Sequence, residues 1–184
     1  MARTKPGEQR RADLLDSAEA VVLRSGIDAL TVDEVALGAG VAKGTFYLHF
    51  ANKEELLGAL RDRYVTRLVE RQDRAVRDAH GVERVERWLR AGINEYLDDV
   101  RLHDVLFHYP ARVDPVPNVA VDALRDALVA SGSDLPDPEA TAIVLYHVMH
   151  GVADRIVHAP ADRERLLDET TRICKLLLGA AVAG

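Results

Sequence analysis

The twenty residues Thr31–Phe50, TVDEVALGAGVAKGTFYLHF, leave this 184-residue chain few folds to choose from. Thr31 is a preferred N-cap, Glu34 stands three places on at the spacing of a capping box, and Val35, Ala36 and Ala39 recur at helical intervals. Gly40 ends that helix: it can take the left-handed conformation that turns the chain, and Val41 supplies the apolar residue that pins the turn. A second short helix follows over Ala42–Leu48, its first turn built from Ala42, Lys43, Gly44 and Thr45, with Phe46 and Phe50 forming one apolar edge. Two short helices joined by a glycine turn make a helix-turn-helix, whose second helix enters a DNA major groove by its N-terminal end. The residue types suit that task. Gly44 lets the backbone approach the groove wall, Lys43 and Thr45 extend toward base edges or phosphates, and Tyr47 carries a hydroxyl on a stiff ring.

The run AGVAKGTFYLHFANKEELL, Ala39 to Leu57, closely resembles the DNA-binding domain of the TetR family of one-component transcriptional regulators, a likeness covering about the first third of the chain. It implies an all-α fold, a three-helix DNA-binding domain followed by a helical ligand-binding and dimerisation domain, and a homodimer. The dimer would place two recognition helices in successive major grooves of a near-palindromic operator, about 34 to 36 Å apart. Carried over position by position, the resemblance and the local chemistry nominate Arg10, Thr31, Ala42, Lys43, Gly44, Thr45, Tyr47, His49 and Lys53 as DNA contacts. One position departs from the family pattern: Ala42 stands where a serine or threonine more often caps the recognition helix and touches a phosphate.

Charge gives no general support for a nucleic-acid partner. The formal total is -6, and residues 1 to 60 alone hold 7 Lys or Arg against 9 Asp or Glu. The case is therefore local: Arg3, Lys5, Arg10 and Arg11 form a basic start interrupted only by Glu8, read either as an arm reaching phosphate or as a solvated lead-in. Overall acidity limits binding to random DNA, so affinity must come from a few aimed contacts. There is no apolar run of membrane-spanning length and no signal-peptide core in MARTKPGEQRR, so a cytoplasmic protein is expected. A single cysteine, Cys174, fits a reducing compartment.

In chain order the pattern is helical throughout. Arg10–Ser25 carries Leu14, Leu15, Ala18, Val21 and Val22 on one stripe and stops at Gly26. Asn52 and Glu55 make a second capping box, starting a connecting helix through Leu60, Tyr64 and Leu68 to about Ala79. Lys53 opposes the dipole of that helix in its first turn, which calls for a compensating anion such as a phosphate. His80 and Gly81 mark a border, giving a DNA-binding domain over 1–51, a connecting helix over 52–79 and an effector-binding and dimerisation domain over 80–184. Within the last, Val82–Val100 is a long amphipathic helix, Leu102–Tyr109 a shorter piece and Pro110–Pro117 a loop. Further helices follow from Val119, from Asp137 with Pro138 at its first position, and from Asp162.

The last two helices are more apolar than an isolated surface pair needs, with Leu145, Met149, Val152 and Ile156 on one side of the first. Some of this surface is expected to meet a second copy. A mostly apolar or aromatic small-molecule effector is expected against Trp88, Tyr96, Phe107, His108, His147 and His150, although any single aromatic is more often core than ligand contact. His147, His150 and Asp154 share a helix face and, joined by His103 or His108, have the types for a metal shell. They equally suit a polar seam, and no metal or other cofactor is assigned. A metal-responsive or co-repressed regulator uses the same parts. The rival class is a helical enzyme or binding protein without DNA, but the chain has no phosphate-binding glycine loop and no nucleophile motif, and its clustered carboxylates read as charge pairs.

Overall fold

Caps and glycines set the boundaries of the helices seen in the computed structural model, which describes residues 7–107 and 118–180. Among the described residues the regular elements are all helical: α1 (Gly7–Ser25), α2 (Val32–Gly38), α3 (Lys43–Phe46), α4 (Lys53–Ala75), α5 (Gly81–Asp98), α6 (Val100–Phe107), α7 (Val119–Ala130), α8 (Pro138–His158) and α9 (Arg163–Ala180), with a 3-10 turn at Pro160–Asp162. None of the described helices is long and apolar enough to cross a membrane. Arg3, Lys5, His108, Tyr109 and the Pro110–Pro117 loop lie outside the described residues.

The punctuation follows the chemistry of the chain. Thr31 Oγ1 accepts from the Glu34 amide at 3.2 Å at the start of α2. At its end Gly40 sits at φ +66, with its amide donating to Leu37 O and the Val41 amide to Ala36 O, the paired bonds of a Schellman turn. At the start of α4 the Asn52 side chain accepts from the Glu55 amide at 2.8 Å, and the Ala51 amide donates to the Glu55 carboxylate at 2.6 Å. Asp137 caps α8 by accepting from the Ala140 amide at 2.9 Å, ahead of Pro138. Two expected boundaries move. The recognition helix is four residues, not seven, and α4 closes at Ala75 with a turn that still buries Val76 and Ala79.

The helices form two compact units. The first takes the chain through Tyr64 and the segment beginning at Arg101; the second takes Val65–Val100 and the helices from α7 onward. In the first unit α1 and α2 bury Leu14, Val22, Val35 and Ala36 with Phe46, Phe50, Leu56 and Leu60. Arg63, only 16% exposed, grips Asp16 and Glu19 at 2.6 Å each and holds α4 on α1. From Arg101 onward α6 belongs with this unit, although it lies beyond the expected boundary at residue 80. Arg61 Nε donates to Leu106 O at 2.8 Å, and the Tyr64 ring lies 6.0 Å from His103 and 5.8 Å from Phe107.

In the second unit Trp88, Leu89 and Ile93 of α5 pack with Leu124 and Leu128 of α7, Leu145 and Met149 of α8 and Leu178 of α9. Gly92 sits at a close approach: a Cβ on it would stand 2.2 Å from Met149 Sδ and 2.4 Å from Gln72 Nε2, so one or both of those side-chain ends would have to shift. Of the stripe Leu145, Met149, Val152 and Ile156, expected to contribute to a subunit seam, Val152 is half-buried and the other three are buried inside their own unit. The apolar side chains left exposed are instead Ile143, Val144 and Val148 on α8 and Ile173, Leu176 and Leu177 on α9.

Candidate nucleic-acid interface

A four-residue helix has too few internal hydrogen bonds to hold itself, so the geometry of α3 is imposed by its neighbours. Phe46 is fully buried and Phe50 nearly so, with ring centroids 5.7 Å apart, and Arg11 of α1 lies 5.0 Å over the Phe50 ring. These anchors fix one side of α3. The other side is open: Ala42, Lys43, Gly44 and Tyr47 are all exposed, Tyr47 by 52%, and a Cβ on Gly44 would meet nothing within 4 Å. Thr45 is half-buried between the two.

Ala42 occupies the N-cap position with φ -70 and ψ 149, the extended geometry a capping residue needs, but it makes no side-chain cap bond. Thr31, nominated as a DNA contact, has its hydroxyl engaged in capping α2. Lys43 Nζ donates to Asp33 Oδ2 of α2 at 3.0 Å; that hydrogen bond, and then the charge behind it, pushes the Lys43 pKa above its ordinary value. Lys43 and Tyr47, four residues apart, share the exposed face.

The remaining nominated contacts have other environments. Lys53 is half-buried and donates to the Ile27 carbonyl at 2.7 Å, so the compensation expected from an external anion is supplied within the fold. His49 is half-buried, its Cε1 4.0 Å from where a Cβ on Gly7 would stand. Arg10 is half-buried in the early turns of α1. Lys43, Gly44, Thr45 and Tyr47 thus come together at one tip, while Lys53 is turned to a partner of its own. Asp33 carried no signal in the sequence, and Arg11, expected in the basic arm, instead lies over Phe50; they stand ten and thirty-nine places from the residues they contact.

The nominated effector residues divide between the units. Trp88 is completely buried in the second unit. Tyr96 is also buried there, its ring edge-on to His150 at 6.0 Å, and Tyr146 lies 4.3 Å from the same imidazole. Burial raises the Tyr146 phenol pKa, partly offset by a hydrogen bond from Asn118. Phe107 belongs to the first unit, stacked on His103 at 4.9 Å, and His108 is outside the described residues. His147 is exposed on α8, its Nδ1 2.8 Å from Ile143 O, and His150 Nδ1 lies 3.0 Å from Tyr146 O. Among the described residues no group of three His, Cys, Asp or Glu side chains could hold a metal ion.

Gln72 went unnoticed in the sequence although its signal was available. It continues the Leu60, Tyr64, Leu68 stripe at intervals of four, where an apolar residue is expected, and it is fully buried. Its Nε2 donates to Trp88 O at 3.2 Å; among the described residues its Oε1 and the Trp88 indole N–H have no hydrogen-bond partner.

Comparison with known proteins covers both units. Residues 14–60 match the family model described as bacterial regulatory proteins, tetR family, and residues 82–178 match that of the tetracyclin repressor-like C-terminal domain. Over 99 residues the chain is 36% identical to the transcriptional activator FasR of Mycolicibacterium smegmatis, spanning 54% of this chain and 43% of that one. Over 51 residues it is 45% identical to the transcriptional repressor KstR2 of Mycobacterium tuberculosis, spanning 28% of this chain and 26% of that one. The matches therefore span less than half the length of either relative. Among solved structures, the regulator FadR of Bacillus subtilis in complex with stearoyl-CoA superposes with a TM-score of 0.68 at 19% identity, over 91% of this chain and 97% of that one.

Proposed function

The chain belongs to the TetR family of bacterial regulatory proteins, and from that footing we propose that it is a DNA-binding transcriptional regulator and not an enzyme. The observation that carries this reading is the two-sided α3: Phe46 and Phe50 buried behind it, Lys43, Gly44 and Tyr47 exposed in front. A helix tip with a glycine for close approach and with a cation and a phenol beside it suits a major groove better than any small-molecule site. Thr45 at the tip and, beyond it, Arg10 and His49 serve as secondary contacts, whereas Lys53 is held by the Ile27 carbonyl.

The protein acts in the cytoplasm as a homodimer, with the exposed Ile143, Val144 and Val148 of α8 and Ile173, Leu176 and Leu177 of α9 closing on their copies. Gly151, exposed and with open space where a Cβ would stand, lets the α8 helices approach. His147 belongs to this exposed side of α8.

The effector is a small, largely apolar or aromatic molecule received in the second unit near Trp88, Tyr96 and His150, where the unpaired Gln72 carbonyl and Trp88 indole offer one acceptor and one donor. Binding there shifts α4, one uninterrupted helix whose first half belongs to the DNA-binding unit, and relieves repression.

Selection of bound duplexes from a random pool tests the reading. Two half-sites whose centres lie about 10 to 10.5 base pairs apart, or a multiple of that, are expected. Recovery of no enriched sequence, or of a lone half-site by a monomeric protein, overturns it. Effector classes are then screened by thermal shift, with long-chain acyl-CoA thioesters included because FadR, which shares the fold, holds stearoyl-CoA.

A further inference from the structure

Asp33 has no part in the reading above, yet its carboxylate oxygen lies 3.0 Å from the ammonium of the one lysine on the exposed α3 tip. We propose that Asp33 is a positioning residue that sets DNA specificity: it holds Lys43 in an ion pair that random DNA cannot profitably break and a cognate site can. The proposal rests on the DNA-binding reading of α3 and deepens it.

The placement of Asp33 is settled by its own helix. It lies in the first turn of α2, where a carboxylate is favoured by the helix dipole, and it is exposed. Lys43 opens α3, so the pair ties the starts of the two helices of the motif together across ten residues. Both side chains are more than half exposed, at 69% and 54%, so the pair is weak and exchangeable. An ammonium that already has a carboxylate gains little from a phosphate, because leaving Asp33 places an uncompensated negative charge beside the DNA backbone. Binding to random duplex rests on phosphates, because its base-edge acceptors are not set where the lysine reaches. A cognate sequence offers base-edge acceptors for the lysine, and a cytosine amine would also satisfy the carboxylate.

Discrimination therefore arises from a penalty on the wrong partner as well as from attraction to the right one. The first sixty residues carry more acidic than basic side chains, which points the same way: this surface is not built for indiscriminate phosphate binding.

The test compares wild type, Asp33→Asn, Lys43→Ala and the double variant on two fluorescent duplexes of about thirty base pairs, one of scrambled sequence and one recovered by selection. Salt is varied between 50 and 200 mM. Asp33→Asn is expected to tighten binding to the scrambled duplex by roughly three- to tenfold, and to steepen its salt dependence by about 0.9 log units per log unit of salt for each lysine released. The ratio of selected to scrambled affinity falls. In the Lys43→Ala background the gain from Asp33→Asn disappears.

If Asp33 only braces α2 against α3, the variant instead loses affinity for both duplexes and melts earlier, and the proposal is overturned. It is overturned too if scrambled affinity and salt slope do not move, or if the gain survives without Lys43. Asp33→Ser, which keeps a residue suited to the start of a helix, checks that the effect follows the charge. Wild type that binds neither duplex sinks the DNA-binding reading itself, an outcome distinct from wild type that binds while Asp33→Asn fails to tighten.

Discussion

Replacing Ala42 with serine tests how the α3 tip is held. Ala42 already has the extended backbone of an N-cap, φ -70 and ψ 149, its side chain is exposed, and it makes no side-chain cap bond. Thr31, Asn52 and Asp137 show what a capping oxygen does elsewhere in this chain, each accepting an amide hydrogen bond within 3.2 Å. The Thr45 amide already donates to Ala42 O at 2.8 Å, so a serine hydroxyl at 42 is expected to cap the Gly44 amide or share that of Thr45. The gain from alanine to a capping residue is about 1 kcal/mol. In a unit of this size that is a rise of roughly 4 to 8 °C in its melting temperature. The same hydroxyl is placed to meet a phosphate, and one additional hydrogen bond of about 0.5 to 1.5 kcal/mol tightens DNA binding by about two- to tenfold. Differential scanning calorimetry and fluorescence anisotropy read the two effects, with Ala42→Val as control, since valine is a poor cap. If the serine and valine variants melt together, residue 42 is not the N-cap and the placement of α3 is wrong.

Gly44→Ala has open space for its methyl and should leave the melting temperature level or slightly higher, while DNA binding falls at least tenfold because the backbone can no longer approach; unchanged affinity on a gel shift removes α3 from the interface. Lys53→Met keeps the half-buried stem but strips the Ile27 carbonyl of its donor, so the DNA-free protein should lose about 1 to 2 kcal/mol in urea unfolding. A variant that weakens DNA binding with no loss of stability contradicts the internal anchor. Gly92→Ala drives a methyl to 2.2 Å from Met149 Sδ and 2.4 Å from Gln72 Nε2, and should cost about 1 to 3 kcal/mol by the same measurement; a neutral result means that Met149 can move aside freely. Burial pushes the Cys174 thiol up to about 12. Its neutral form is favoured on folding, so the associated stability is complete below the unfolded value near pH 8.5 and declines as pH rises from there toward about 12. Iodoacetamide at pH 8 should label it only after denaturant is added, and rapid labelling of the folded protein refutes the packing around α9.

The fold was legible where local chemistry dominates. Thr31, Gly40, Asn52 and Asp137 each act over four residues or fewer, and the helices they bound are where their spacing places them. Phe46 and Phe50 were readable for the same reason, as an apolar edge four residues apart on a polar helix tip. What the sequence concealed was long-range. The placement of α6 with the first unit depends on Arg61 reaching Leu106 O and on Tyr64 meeting His103 and Phe107, separations near forty residues that no periodicity encodes. The partners of Lys43 and Lys53 were hidden likewise: an exposed lysine in sequence carries no record of whether a carboxylate or a carbonyl will fold back onto it. Gln72 is the intermediate case, visible as a polar residue on an apolar stripe and interpretable only once Trp88 and Met149 were beside it.

On the proposed function, these contacts share a consequence for how binding to DNA would be controlled. With four residues and no side-chain cap, α3 has little structure of its own to lose, and its direction is set by two buried rings. Phe50 is in turn covered by Arg11 of α1, and Arg63 of α4 grips the same α1 through Asp16 and Glu19. A small displacement of α4 therefore moves α1, and with it the floor on which α3 stands. On the function proposed above, an effector would not need to unfold the tip in order to switch it off, because closely packed elements respond to small shifts as discrete changes of arrangement. Sensitivity to effector should accordingly drop when Arg63 is replaced by methionine, which keeps the packing and cuts the grip on α1, although Arg63 belongs to neither the proposed DNA face nor the proposed effector site.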